Sequence, residues 1–256
     1  MNTIIKNQQK QLYHVGQKYS VEKWQGVDSP DDMIELLNQR VVIDTSLLKN
    51  KLEEEIKPHL PWAELQFQER VSGKPLNPGE SYKEWPFYKH KKEDDKFRNT
   101  EEGQFSHTYM ERFWPKQAPM FNGRINADIN IGIRYGYGDL DDLIQLLMDQ
   151  PHTRQAFLPI WFPEDLKASN LGDRVPCSLG YDFIIRNNRL HMVYYMRSCD
   201  ALRHFRDDIY IAIRLMQWVC QELNMLHDID TGMFTMYIKN FHCFYKERES
   251  LLSDKF

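Results

Sequence analysis

The chain is short of several things, and each shortage narrows what it can be. It has no basic excess: 33 Lys and Arg stand against 37 Asp and Glu, for a net charge of −4. That balance argues against a protein working through a general basic field on nucleic acid or on a membrane surface, so no nucleic-acid partner is expected. No apolar run in the sequence approaches the roughly 18–20 residues that span a bilayer, so no membrane partner is expected either. Cysteine is sparse. Cys177, Cys199, Cys220 and Cys243 include no Cys-x-x-Cys pair, which excludes a disulfide scaffold and leaves no metal site to expect. They read as reduced thiols in a cytoplasmic protein. Met1 to Gln11 has no apolar core followed by small residues, so it does not read as a secretory leader. Glycine is scarce too, 12 in 256 residues, while aromatic residues reach 13%, which points to packed aromatic side chains rather than long loops.

What is present reads as one domain over residues 1–256, a length that buries a large core without a metal or disulfide staple. Asp31-Asp32 predicts the cap of a short helix through Leu36 and Leu37, followed by a strand from Arg40. Residues 74–104 combine turn chemistry, Lys74-Pro-Leu-Asn-Pro-Gly, with a dense charge run from Lys89 to Glu102, and read as a solvated insertion or lid. Asp139 to Asp149 carries Leu140, Leu143, Ile144 and Leu147 at helical spacing, ended by Pro151. Thr153 to Pro163 reads as a buried strand. Cys177–Arg186 and Arg189–Arg197 flank Asn187-Asn188, a hairpin signal, since Asn tolerates the positive φ of a two-residue turn. A helix starting at Asp207 or Asp208 aligns Ile209, Ile213, Met216, Cys220 and Leu223 on one face, and Gly232 to Phe244 reads as a last strand. The expected class is α/β of the α+β type: a mixed sheet flanked by long helices.

Four segments carry more polar chemistry than packing needs. Arg174-Val-Pro-Cys177-Ser178 places a cysteine at a strand start; a lone cysteine is ordinarily a small core hydrophobe. Met196-Arg197-Ser198-Cys199-Asp200 closes an apolar strand with a planar cation and a hydroxyl, good equipment for a phosphate. Phe205-Arg206-Asp207-Asp208 opens a helix, and Tyr135-Gly136-Tyr137-Gly138 is a turn signal. Singly, each has a structural explanation.

In order, Pro-Cys, a hairpin, Arg-Ser-Cys-Asp and an acidic residue eight positions on resemble the thymidylate synthase family, most clearly from Tyr135 to Tyr237. The resemblance implies a homodimer joined through its sheets and a one-carbon transfer from 5,10-methylenetetrahydrofolate to a pyrimidine nucleotide. Cys177 matches the family's nucleophile, a role that demands a polarisable thiolate. Arg197 and Ser198 match phosphate contacts. Arg154, in Pro-His-Thr-Arg-Gln, matches an arginine reaching the neighbouring subunit's phosphate. Asp200 matches a carboxylate near folate and pyrimidine, Tyr237 a sugar-binding tyrosine, and Tyr135 a tyrosine close to the cysteine. Glu111, in Glu-Arg-Phe-Trp114, has the family's Glu-x-x-Trp spacing for a proton-moving glutamate, which the competing Glu84-Trp85 lacks.

The base-reading position departs from the family pattern in an informative way. Thymidylate synthases have Asn there, and counting from Arg197 this chain has Asp208. An ionised carboxylate only accepts hydrogen bonds, which suits the exocyclic amine of cytosine and not the carbonyl of uracil. A one-residue shift would put Asp207 there instead. The resemblance is therefore closest to the dCMP and CMP 5-hydroxymethylase branch, with a cytidine monophosphate as substrate. A cytidylate methylase, a dUMP-using enzyme and a catalytically silent nucleotide- or RNA-binding homologue are the alternatives. Further departures are Ser178 after the cysteine, Thr235 for a sugar-contact histidine, Gln155 for a second phosphate arginine, and Arg203-His204 for Leu-Gly near the folate.

Overall fold

The computed structural model describes residues 2–20, 23–24, 27–28, 31–87, 105, 107–114, 138–170 and 174–253. In chain order, helix α1 (Asn2–Val15) buries Ile5, Gln9 and Leu12 and leads into strand β1 (Gln17–Tyr19). The short strands β2 (Lys23–Trp24) and β3 (Val27–Asp28) pair with each other before the long strand β4 (Met33–Asp44). Helices α2 (Leu52–Ile56), α3 (Trp62–Arg70), α4 (Met110–Phe113) and α5 (Leu140–Asp149) follow. Next come β5 (Ala156–Pro159), α6 (Pro163–Asn170), β6 (Ser178–Arg186), β7 (Arg189–Met196) and β8 (Cys199–Asp200). Helix α7 (Phe205–Leu223) and strand β9 (Asp230–Phe244) close the core.

One mixed sheet runs β1-β4-β9-β7-β6-β5, with β8 also beside β9. Strand β9 is its spine: β4 pairs with it antiparallel on one side, and β7 and then β8 pair with it parallel on the other. Alternation sets the two faces. Phe234, Met236 and Ile238 of β9, with Met192 and Tyr194 of β7, point to the covered face, where α7 lies against β7 and β9. Helices α2, α3 and α5 pack around α7. The predicted apolar stripe of α7 is buried along its whole length, with Ile209, Ile213, Met216 and Leu223 fully enclosed. At about 1.5–3 kcal/mol for each such side chain, this helix anchors the core. The mixed α+β class expected from the sequence is the class observed.

The hairpin forms as predicted: Asn187 and Asn188 both take positive φ, 51° and 55°, joining β6 to β7. Asp139 caps α5 through a capping box with Asp142. The apolar segment after Thr153 is shorter as a strand than predicted, because Pro163 starts α6. The helix predicted behind Asp31-Asp32 is instead the first half of β4. Met33 to Leu37 pair with Phe244 to Asn240, and Asn38, at φ 54°, interrupts the ladder before it resumes at Gln39. That interruption breaks the strict alternation and disguised a strand as a helix. Asp32 accepts from Lys18 and Ser20 rather than capping anything. Of the charged insertion, residues 88–104 lie outside the described residues. The part before them is packed: Ser81 is buried and hydrogen-bonds Glu69 and Gln66 of α3. Among the described residues, no helix is long and apolar enough to cross a membrane.

Candidate active site

Two interruptions of regular strand build the site. Between Ser178 and Gly180 the β6–β7 register slips by a bulge. Gly180 is required there, since a Cβ would strike the Phe157 ring and the Leu158 carbonyl. The bulge lets Ser178 face the interior while Cys177 stands just before the strand. On the neighbouring line, β7 leaves β9 at Met196 and β8 rejoins it at Cys199, so Arg197 and Ser198 stand outside the ladder.

Arg197 then folds back on the cysteine loop. Its backbone NH donates to the Cys177 carbonyl at 2.9 Å. Its Nε donates to Pro176 O at 2.7 Å and its Nη2 to Val175 O at 3.0 Å, while Nη2 lies 4.0 Å from Cys177 Sγ. Burial pushes the Cys177 thiol up, Arg197 and Arg174 oppose that, and Asp208 and Asp200 reinforce it. The sulfur is therefore a thiol at rest, beside a cation that favours its ionised form.

Asp208 faces the same region. Cys199 Sγ lies 3.6 Å from its Oδ2, and burial pushes its carboxyl up to about 7, against the pull of Arg70 and with Asp207 adding to the rise. The residue before it is occupied elsewhere. Asp207, 1% exposed, accepts from the His59 backbone NH at 2.7 Å and pairs with His59 Nδ1 at 2.9 Å. Asp207 thus ties α7 to the loop before α3, while Asp208 lies against Cys199.

Asp200 accepts from the backbone NH groups of Leu202 and Arg203, both at 2.9 Å, and pairs with the Arg203 guanidinium at 3.0 Å. Burial alone would raise its carboxyl, but His242, Arg203 and His204 outweigh it and hold Asp200 below the usual range. Arg203 also bridges to Glu247 at 2.7 Å. Ser198 Oγ lies 3.5 Å from His242 Nδ1. Trp85 stacks on His204, and Phe87 meets both rings edge-on, forming an aromatic wall at the N-terminus of α7.

The structure thus brings Cys177, Arg197, Ser198, Asp200 and Asp208 into one region. Of the other expected residues, three lie within the described part. Tyr237 lies on the uncovered face of the sheet, 41% exposed and stacked on Tyr195, two residues before Arg197. Arg154 is exposed just before edge strand β5. Glu111 closes a capping box on α4, accepting from the Thr108 NH at 2.9 Å while its own NH donates to Thr108 Oγ1. Tyr135 lies outside the described residues. Among the described residues, no cluster of His, Cys, Asp and Glu could hold a metal ion.

A polar layer behind Cys177 was not foreseen. Ser178 Oγ hydrogen-bonds the hydroxyls of Tyr109 and Tyr194, Tyr194 stacks on Tyr181 at 4.4 Å, and Tyr181 accepts from Arg70. The signal was in the sequence: Tyr181 and Tyr194 occupy inward positions of alternating strands, where each buried hydroxyl demands a partner.

An α+β sheet presenting a thiol, an arginine and two carboxylates at a break in its strands defines the class of protein, and comparison with known proteins places it. The backbone matches the thermostable thymidylate synthase A from Bacillus subtilis with a TM-score of 0.66, at 17% identity, over 98% of this chain and 82% of that one, a likeness of fold. The thymidylate synthase family model matches residues 79–254, and the chain belongs to that family. A bifunctional dihydrofolate reductase-thymidylate synthase of Paramecium tetraurelia is 28% identical over 45% of this chain and 24% of its own length. A thymidylate synthase of Rhizorhabdus wittichii is 24% identical over 44% of this chain and 34% of its own. The matched part therefore spans about a quarter to a third of those two relatives.

Proposed function

We propose that the protein is a cytidylate 5-hydroxymethyltransferase, working on dCMP or CMP with 5,10-methylenetetrahydrofolate. The observation that carries this reading is the carboxylate of Asp208, in place of an amide, 3.6 Å from the Cys199 thiol at the strand break that also carries Arg197. In the proposed reaction the Cys177 sulfur adds to carbon 6 of the pyrimidine, and its proton leaves as the carbon–sulfur bond forms. The electron pair displaced from the 5,6 double bond makes carbon 5 nucleophilic. The folate, when bound, supplies a one-carbon unit at the formaldehyde level. The wall of Trp85, Phe87 and His204 beside Asp200 fits a flat aromatic group with a polar edge. Arg197 and Ser198 would hold the nucleotide phosphate. After transfer, carbon 5 gives up its proton as the folate amine leaves, water adds to the exocyclic methylene so formed, and the sulfur departs from carbon 6 to restore the 5,6 double bond, leaving the hydroxymethyl group. The charged Arg203, spanning Asp200 and Glu247, keeps polar groups and water near that step.

The test is incubation with CMP, dCMP, dUMP and UMP in turn, each with methylenetetrahydrofolate, and mass measurement of the product. The expected product is cytidylate heavier by one formaldehyde equivalent. A methylated cytidylate would identify the methylase instead, and turnover of dUMP alone would overturn the reading.

We propose further that a second copy covers the open sheet face, where Phe157 is 46% exposed beside Tyr195 and Tyr237, and that Arg154 reaches the partner's phosphate. Phe157→Glu should then convert a dimer to a monomer by sedimentation and remove activity. A wild-type monomer with full activity would end the role given to Arg154.

A further inference from the structure

The tyrosine layer behind Cys177 is anchored more firmly than packing requires. Ser178 directly follows the cysteine and is fully enclosed, so its hydroxyl must be satisfied from within the protein. That hydroxyl meets two partners from distant parts of the chain: Tyr109, just before α4, at 3.2 Å, and Tyr194 of β7. Each tyrosine is itself held. The Arg70 guanidinium stands 4.1 Å from the Tyr109 ring centroid. Tyr194 stacks on Tyr181 at 4.4 Å, the rings 7° from parallel. Tyr181 in turn accepts from Arg70 at 3.4 Å and meets Phe113 edge-on. A serine hydroxyl, free to rotate by itself, is thus fixed by two phenols that one buried arginine braces.

The cysteine's own carbonyl is held on the other side. It accepts from the Arg197 backbone NH at 2.9 Å, and the Arg197 side chain binds the carbonyls of Val175 and Pro176. Between Ser178 and Gly180, however, β6 slips register against β7. A bulge disrupts the ladder locally, so strand pairing constrains the start of β6 weakly, and with it the direction of the cysteine. The Ser178 side chain adds a constraint there from the interior.

We propose that Ser178, its hydroxyl clamped by Tyr109 and Tyr194, is a positioning residue for the Cys177 nucleophile: it fixes the peptide between the two residues so that the sulfur stays at the Arg197 guanidinium, 4.0 Å away. This rests on Cys177 being the nucleophile and not on which pyrimidine is used. The groups facing the sulfur are Arg197 and Arg174, Cys199 and Asp200 of β8, Asp208 of α7, and Tyr109. The two arginines favour the thiolate, and Arg197 is the one in contact. A sulfur that swings away from Arg197 loses that cation and its line of attack on carbon 6 together.

The test compares wild type with Ser178→Ala, Tyr109→Phe, Tyr194→Phe, the double phenylalanine variant and the triple variant. It reads the pH profile of Cys177 alkylation by iodoacetamide, turnover of whichever nucleotide wild type accepts, and calorimetric binding of that nucleotide. Ser178→Ala should move the alkylation profile to higher pH and lower kcat by roughly 10–100-fold, while nucleotide affinity changes by less than about threefold. Each single phenylalanine leaves the serine one hydroxyl partner and should give a smaller loss, which covers the case in which Ser178→Ala fails to fold. Both together should reproduce Ser178→Ala. The triple variant should cost nothing further, since the serine then has no partner left to lose. Folded variants with the wild-type alkylation profile, binding weakened as much as turnover, or losses that simply multiply would each overturn the proposal. Should Cys177→Ala keep wild-type exchange at carbon 5, the nucleophile reading fails. The alkylation profiles still decide whether Ser178 places the sulfur.

Discussion

Cys177→Ala should abolish exchange of the carbon 5 hydrogen of cytidylate, by at least about 10³-fold, while nucleotide affinity changes only a few-fold. The asymmetry follows from the geometry. Arg197 holds the cysteine loop through carbonyl oxygens of Val175 and Pro176, so the phosphate-facing side of the site survives loss of the sulfur. Carbon 5, by contrast, has no means of becoming nucleophilic without an adduct at carbon 6. Cys177→Ser should do little better, since a hydroxyl lacks the polarisability and acidity of a thiol. The pH dependence is a second reading of the same residue. Burial raises the thiol above its ordinary range and Arg197 only partly offsets it. Alkylation of Cys177 by iodoacetamide should therefore keep accelerating beyond the pH at which a free cysteine levels off. Arg197→Met should push that acceleration to still higher pH. Release of carbon-5 tritium by the Cys177→Ala protein at wild-type rate would refute the nucleophile assignment outright.

Local signals made much of this fold legible. The five-residue stripe of α7, the Asn187-Asn188 turn and the leucine spacing of α5 each bind a short stretch of sequence to one conformation, and each formed as read. The misreadings share a cause, which is that tertiary contacts decided what local pattern left open. Strand β4 lost its alternation at Asn38, and only its pairing with β9 identifies Met33–Leu37 as strand. Helix α3 went unread because its buried side is partly polar, Gln66 and Arg70 lying among Ala63 and Phe67. The same polarity that hid the helix is what places Arg70 behind the site. Glu111 has, beside its spacing to Trp114, the same spacing to Thr108, with which it hydrogen-bonds reciprocally at the start of α4. The choice between Asp207 and Asp208 could not be made by counting. Adjacent helical residues point about 100° apart, and the partner that claims Asp207, His59, lies almost 150 residues earlier in the chain.

Asp208→Asn should have two effects of opposite value to the protein. The first is on base choice. An amide donates to the carbonyl at carbon 4 and accepts from the ring NH of uracil, so preference should swing toward dUMP by about a hundredfold, the scale at which a mismatched buried hydrogen bond discriminates. The second is on stability. The folded state raises the Asp208 carboxyl from 3.8 to about 7. Between those values the folded protein holds a proton that the unfolded chain has released. The contribution is fully present below the unfolded value and is lost as pH rises through the folded one. Asparagine cannot ionise and escapes that loss. The variant's advantage over wild type should be absent near pH 4, grow toward pH 7 and stay level above it. It should reach the order of 2 kcal/mol after discounting for the solvent that still reaches the carboxyl. Urea unfolding of both proteins at acidic and at mildly alkaline pH measures it. If the difference between them is the same at both, Asp208 is not a strained buried carboxyl, and the case for its reading the base loses its electrostatic basis. If the advantage grows as described while base preference stays fixed, the strain is real but another residue selects the nucleotide. Movement of both together would tie the cost in stability directly to recognition, since the same burial that destabilises the carboxylate makes its hydrogen bonds selective.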